Sequence, residues 1–354
     1  MNLKKATYNI LLSSMLCLMP VFASAQGIVA DGPTYYLPKT VLKFTLLVEK
    51  STFTPGRFSD YATKFLNTQR NVVDPSETYR IVSVKMETVG IPDSSKFFAV
   101  KMGSKQNINK VYISQDGILL SVNQEPKTIM PETPFKASPR QMKVDPSEYM
   151  TDEMLSAGSN AKMAQLCAQE IYEIRTSRND LVRGTADVMP KDGAQLNLML
   201  ANLQMQENGL TELFEGTTVR DTTEQVVFFC PEKNMTGRSV LFRFSDIYGL
   251  VKADDLSGAP YYINISNIRK PAGTESAVYS RKADTGINVN VPGRAHVAVT
   301  QQETPWIEKD FAFAQFGHTE NLSPDLFTKK MYITFEVNQA TGATVGMTTK
   351  EEKY

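Results

Sequence analysis

Acid–base chemistry by histidine has only two sites in this 354-residue chain, His296 and His318. His296 alternates with Ala295 and Val297 in a strand-like run, and His318 follows Phe316-Gly317 in a turn-like one. Neither adjoins a cysteine, and neither a G-x-S-x-G turn nor an H-E-x-x-H helix occurs. Both are therefore read as structural, and no catalytic residue is assigned. A zinc site would have to draw on Cys167, Cys230, His296 and His318, which contain no closely spaced ligand pair. Asp254-Asp255 and Asp116-Gly117 fall outside the calcium-loop pattern and read as turns. No metal or cofactor is expected. Carboxylates for glycoside hydrolysis are defined by a separation in space that sequence does not supply.

Residues suited to binding are more prominent than residues suited to catalysis. Arg175, Arg178 and Arg183 end one helical pattern, and Asp187 and Asp192 flank the connection to the next. Cations at a helix C-terminus and an acid at an N-terminus complement the helix dipoles, so pinning of a helical hairpin accounts for them. A docking surface formed by Arg175, Arg178, Arg183 and Asp187 is the sharper alternative. Trp306, with the pairs Tyr35-Tyr36 and Tyr261-Tyr262, could form a platform for a glycan or a protein. Adjacent aromatics on a strand more commonly divide between core and surface, because side chains alternate with period two. Cys167 and Cys230 either pair, closing a loop worth about 4 kcal/mol of chain entropy, or remain core thiols.

The elements that must position these residues follow from periodicity. Residues 41–49 read as a strand, 58–66 as a short amphipathic helix, and 79–87, 96–102, 110–114 and 118–122 as strands of one antiparallel unit. Residues 125–150 carry Pro126, Pro131, Pro134, Pro139 and Pro146 and form a connector. Met163, Leu166, Cys167, Ile171 and Ile174 make one helical face, ended near Gly184. Asp192 with Gln195 three residues later caps a second helix, which presents Leu196, Met199, Leu203, Leu210, Leu213 and Phe214 and stops at Gly216. Strands return at 224–230, 239–244, 261–265, 287–291, 295–300, 310–315, 331–337 and 343–348. The fold expected is α+β, a predominantly antiparallel β-sheet with an inserted antiparallel αα-hairpin. Periodicity leaves open whether the terminal β regions share a sheet.

Residues 1–25 combine Lys4 and Lys5, an apolar stretch and the small-x-small triplet Ala23-Ser24-Ala25, the pattern of a cleavable secretory leader. Cys17 follows Met15-Leu16, a poor lipidation context. The mature chain thus divides into a β-rich region at 26–124, the connector at 125–150, the hairpin at 151–216 and a second β-rich region at 217–354. No later run suggests a transmembrane span. With 38 basic and 38 acidic residues, of which cleavage removes two lysines, there is no electrostatic footprint for nucleic acid.

The segment Glu170-Ile171-Tyr172-Glu173-Ile174-Arg175, then Leu181, Gly184, Pro190, Asp192-Gly193 and Leu210-Thr211-Glu212-Leu213-Phe214, resembles the uncharacterised exported Bacteroidota family known as domain of unknown function 4831. Leu37-Pro38-Lys39-Thr40 and Thr54-Pro55-Gly56 carry the same resemblance. It implies an envelope location and a β-rich domain, and it brings no active-site residues. The function expected is that of a non-enzymatic envelope protein, periplasmic or surface-associated, binding or scaffolding another envelope protein or a glycan. A glycan- or peptide-acting hydrolase and a carbohydrate-binding protein are the alternatives.

Overall fold

The computed structural model describes residues 32–68, 73–100, 107–127, 133, 135–136, 145–233, 235, 237–273 and 286–351. The leader at 1–25 and much of the 125–150 connector lie outside the described residues.

The chain opens with β1 (Thr34–Thr54), in which buried Leu42, Phe44, Leu46 and Val48 alternate with half-buried neighbours. A 3-10 turn and α1 (Ala62–Leu66) follow, and β2 (Ser76–Ala99) then returns antiparallel along β1. The sequence suggests two strands here, yet β2 runs on through Pro92. Proline is tolerated because β2 is an edge strand, where a missing ladder donor costs little. The short β3 (Val111–Ile113) and β4 (Leu119–Val122) form a hairpin. α2 (Asp152–Leu155), α3 (Asn160–Arg183) and α4 (Gly193–Glu215) come next, and Gly216 leads directly into β5 (Thr217–Phe229). The remainder is β6 (Gly237–Ser245), β7 (Gly249–Val251), β8 (Ala259–Arg269), β9 (Ile287–Gln301), β10 (Thr304–Leu322), β11 (Met331–Val337) and β12 (Thr344–Glu351).

These strands form sheets in the orders β2-β1-β5, β10-β9-β8-β6-β7 and β12-β11-β4-β3. Every pairing between these strands is antiparallel, with one isolated parallel bridge between Tyr36 and Ile118, so the fold is the α+β arrangement with an αα-hairpin between β4 and β5. The two β-rich regions share sheets, because β1 pairs with β5 and β4 with β11. The single N-terminal antiparallel unit expected from sequence is thereby corrected: β3 and β4 leave β1 and β2 to join the C-terminal strands.

Two long ribbons, β1–β2 and β9–β10, serve two cores. Leu42, Phe44 and Leu46 pack with Ile263, Val297, Val299 and Phe313 in one, whereas Tyr35 and Leu37 join Leu119, Ile287, Val289 and Phe335 in the other. To reach both, β9–β10 bends where its register shifts, between Phe313 and His318. Gly293 and Gly317 allow the bend, since a Cβ on either would lie 2.5 Å from the Phe316 carbonyl oxygen or 1.8 Å from that of Val291.

The bulge frees backbone groups from the ladder, and Thr40 of β1 takes them up. Ala314 N donates to Thr40 Oγ1 at 3.0 Å, Thr40 N donates to Gln315 Oε1 at 3.1 Å, and Gln315 Nε2 donates to the carbonyls of Thr40 at 2.8 Å and Pro231 at 3.0 Å. The Gln315 amide thus occupies the place of a neighbouring strand on the part of β1 that β5 does not reach. Both residues are buried, so these groups have no access to replacement water. Gln315→Leu should strand the amide and carbonyls it serves and cost about 3 kcal/mol, read as a lower urea midpoint; a loss below about 1 kcal/mol would mean other groups satisfy the junction.

Candidate functional site

The helical hairpin is built on local signals. Ser159 Oγ accepts from Lys162 N at 3.2 Å and Asp192 Oδ1 accepts from Gln195 N at 2.8 Å, so each long helix has a side-chain N-cap. Gln195 Oε1 accepts from Lys191 N at 2.9 Å rather than from the cap residue itself. Gly184 ends α3 in the left-handed region at φ 74°. Met163, Cys167, Ile171 and Ile174 of α3 and Leu210, Leu213 and Phe214 of α4 pack with Phe58, Ala62, Met150 and Met154 into a core separate from those of the sheets.

Beyond that core the helices are joined by charge. Arg175 Nε donates to Glu207 Oε1 at 2.7 Å, and Arg178 Nη1 donates to Glu207 Oε2 and to Gln204 Oε1. Glu207 is only 7% exposed, and its two oxygens are divided between two guanidinium groups. The sequence pattern suggested pinning through helix dipoles at the connection; the structure instead joins Arg175 and Arg178 to Glu207, an acceptor that sequence reasoning missed. The signal was there: Glu207 lies four residues after Leu203 and three before Leu210, on the apolar face of α4.

Arg183 and Asp187 stand apart from the clamp, both exposed. Asp187 lines a groove of about 450 Å³ with Asp180, Leu181, Val188, Met199 and Leu203. Of its lining, Val188 is exposed to 77%, and Val182, Leu198 and Met205 are further exposed apolar side chains of the two helices. Polar Ser177, Asn202 and Gln206 complete the lining of the groove.

Trp306 lies elsewhere, half-buried, edge-on to Tyr261 at 4.8 Å and to Phe242 at 6.1 Å. Tyr35 and Tyr261 are in the cores, while Tyr36 and Tyr262 are half-buried on the other face, as strand alternation requires. Cys167 and Cys230 are free thiols. Cys167 is in the helical core, and burial pushes its thiol up to about 11, which keeps it protonated and inert. Cys230 is exposed beyond the far end of β5, about 40 Å of extended chain from the α4 terminus. Thiols bridged in a disulfide need Cα atoms about 6 Å apart.

A second concavity, of about 230 Å³, lies on the β8–β10 sheet and is lined by Asn267, Arg269, Arg294, His296 and Asp310. His296 Nδ1 is 2.7 Å from Asp310 Oδ1, and Nε2 is 3.6 Å from Glu308 Oε2. The hydrogen bond to Asp310 holds the imidazole above its ordinary pKa, with the Asp310 and Glu308 charges adding to it. No serine, threonine or cysteine lines this cavity, so the His–Asp pair has no nucleophile to activate there. His318 makes a comparable contact with Glu320 at 2.9 Å. Among the described residues, no group of three or more His, Cys, Asp or Glu side chains could hold a metal ion, and no helix is long and apolar enough to cross a membrane.

A family model described as Domain of unknown function (DUF4831) matches residues 31–345. No curated protein and no solved structure matches the chain.

Glu207→Ala should leave Arg175 and Arg178 facing each other without a shared acceptor; both arginines are partly exposed, so water screens part of the loss, and a cost of about 1–2 kcal/mol is expected by thermal unfolding. For His296 the sign follows from the raised pKa: its pairing stabilises the fold fully below the ordinary imidazole value of 6.5 and is lost as pH rises through the higher folded value. Imidazole resonances followed by NMR should titrate above 6.5 in the native chain and fall back toward it in Asp310→Asn; an unchanged midpoint would assign the shift to another group.

Proposed function

The chain belongs to the family described as Domain of unknown function (DUF4831), and from that premise we propose that it is an exported, non-enzymatic envelope protein that binds another envelope protein through its helical hairpin. The observation that carries this reading is the groove at the hairpin's free end, lined by Leu181, Val188, Met199 and Leu203 with polar groups beside them, on a hairpin that also exposes Val182 and Leu198. Apolar side chains left this exposed at the end of two well-capped helices cost solubility and contribute nothing to folding. A partner that covers them converts that liability into binding energy at about 25 cal/mol per Å² of apolar surface.

Asp180 and Asp187 among the lining residues favour a partner segment that is basic beside its apolar face, such as an amphipathic helix laid along the groove. The leader pattern at 1–25 supports action outside the cytoplasm, in the periplasm or at the cell surface. Hydrolase and carbohydrate-binding readings have weaker support. The cavity around His296 is lined by one carboxylate, and Trp306 spends its ring on contacts to Tyr261 and Phe242.

A photo-crosslinking side chain placed at Val188 in the full-length protein, in its native cells, tests the proposal. Crosslinks should form in the envelope fraction to a polypeptide whose joined segment is basic and apolar-faced. Met199→Asp should lower their yield about tenfold, an ordinary effect for a residue that lines a contact, with the circular dichroism spectrum unchanged. Recovery from the cytoplasmic fraction, recovery as monomer alone, or equal crosslinking in Met199→Asp would overturn it.

A further inference from the structure

The outer face of the β8–β10 sheet carries an arrangement that folding alone does not favour. Arg269 on β8 and Arg294 on β9 are direct cross-strand partners. Like charges placed opposite each other on neighbouring strands destabilise a sheet, and natural sheets ordinarily put an acid in one of the two positions. Here both arginines are exposed, and no ion pair among the described residues neutralises either. The one carboxylate lining the cavity they share, Asp310, is already engaged by His296 Nδ1 at 2.7 Å.

The backbone is shaped to produce this opposition. Between Ser266 and Arg269 the register of β8 against β9 shifts, so that an extra residue is accommodated on β8. Asn267, in that bulge, has φ 51°, a conformation that a residue with a side chain adopts at a cost. A bulge re-aims the side chains that follow it. Without the shift, the strict pairing that sets Ser266 against His296 would place Arg294 opposite Ile268 rather than Arg269. The bulge therefore brings the second arginine to the first, and the polar concavity of about 230 Å³ lies where they meet.

We propose that Arg269 and Arg294, with Asn267 beside them, form a binding site for an oxyanion group of phosphate or carboxylate type. Two guanidinium groups present forks of N–H donors whose geometry matches such an anion in a bidentate manner, which lysines in the same places would not do. The anion supplies the counter-charge that the sheet lacks, so occupancy relieves the repulsion that the empty site carries. His296 borders the site, but its Nδ1 is held by Asp310, so it is not the main ligand. The site is on a different surface from the hairpin groove and stands independently of the partner proposed for it.

Thermal unfolding of the full chain at constant ionic strength tests this, with inorganic phosphate, methyl phosphate or acetate replacing chloride. At least one of the three should raise the melting temperature saturably. Arg294→Gln and Arg269→Gln should each weaken the apparent affinity about tenfold or more, the usual consequence of losing a charge-assisted contact. Without anion, each variant should melt at or above the native temperature, because it removes one of two opposed charges. Phosphate acting alone would identify a site for the free ion, methyl phosphate acting equally a phosphoryl group carried on a larger molecule, and acetate acting best a carboxylate. No saturable effect from any of them, or effects retained in both variants, would overturn the proposal.

Discussion

A buried side-chain amide does the work of a strand at the centre of this protein. Gln315 both donates to and accepts from the backbone of Thr40, and its second donated bond goes to Pro231. Backbone polar groups cannot be left unpaired away from water, so the fold can end β5 short of the N-terminal half of β1 only if something else completes the ladder. Once Gln315 does so, β1 is free to continue past the bend and deliver Tyr35 and Leu37 to a second core. Tyr35 then closes the next gap, its hydroxyl donating to Asn288 O at 3.0 Å and accepting from Asn288 N at 2.7 Å. Asn290 extends the seam by donating to the carbonyls of Pro38 and Thr341. A line of buried polar contacts thus joins the three sheets where none of them alone is continuous.

The helical layer obeys a different economy. Its core is assembled from α1, α2 and the inner halves of α3 and α4, and the clamp at Glu207 comes just where that core ends. Past the clamp Leu181 is the one buried apolar side chain of α3, and caps and half-buried contacts supply the rest, so this end has few buried partners. Apolar side chains are concentrated there all the same. The charge-fixed base beneath these exposed apolar side chains is what motivates the docking role proposed for the hairpin.

The two surfaces with unspent chemistry are complementary in kind. The hairpin end offers apolar area with carboxylates among its lining residues, and the β8–β10 face offers opposed guanidinium groups that no ion pair among the described residues neutralises. Both depart from what folding stability alone would select, the first by exposing what could be buried and the second by opposing what could be paired. These departures are what motivates the two binding proposals.

Much of the local structure was legible in the chain itself. The faces of α3 and α4, the stops at Gly184 and Gly216, the cap at Asp192 and the alternation in β1 depend on neighbours within a few residues, so residue order determines them. Strand partnership is of another nature. Nothing in residues 111–122 marks them for β11 rather than β2, because a strand's hydrogen bonds are the same whichever partner supplies them; packing of the second core made that choice. Arg175 and Arg178 could be named from sequence, but their acceptor came into view only when α4 crossed α3 and enclosed Glu207. Cys167 and Cys230 were left open between bridge and thiols until the folded chain put one in the helical core and the other beyond a thirteen-residue strand. The opposition of Arg269 and Arg294 was decided last, by a bulge whose single extra residue changes which side chains meet. Periodicity is a property of one segment, whereas pairing, burial and charge opposition are properties of two, and only the tertiary structure brings the second to the first.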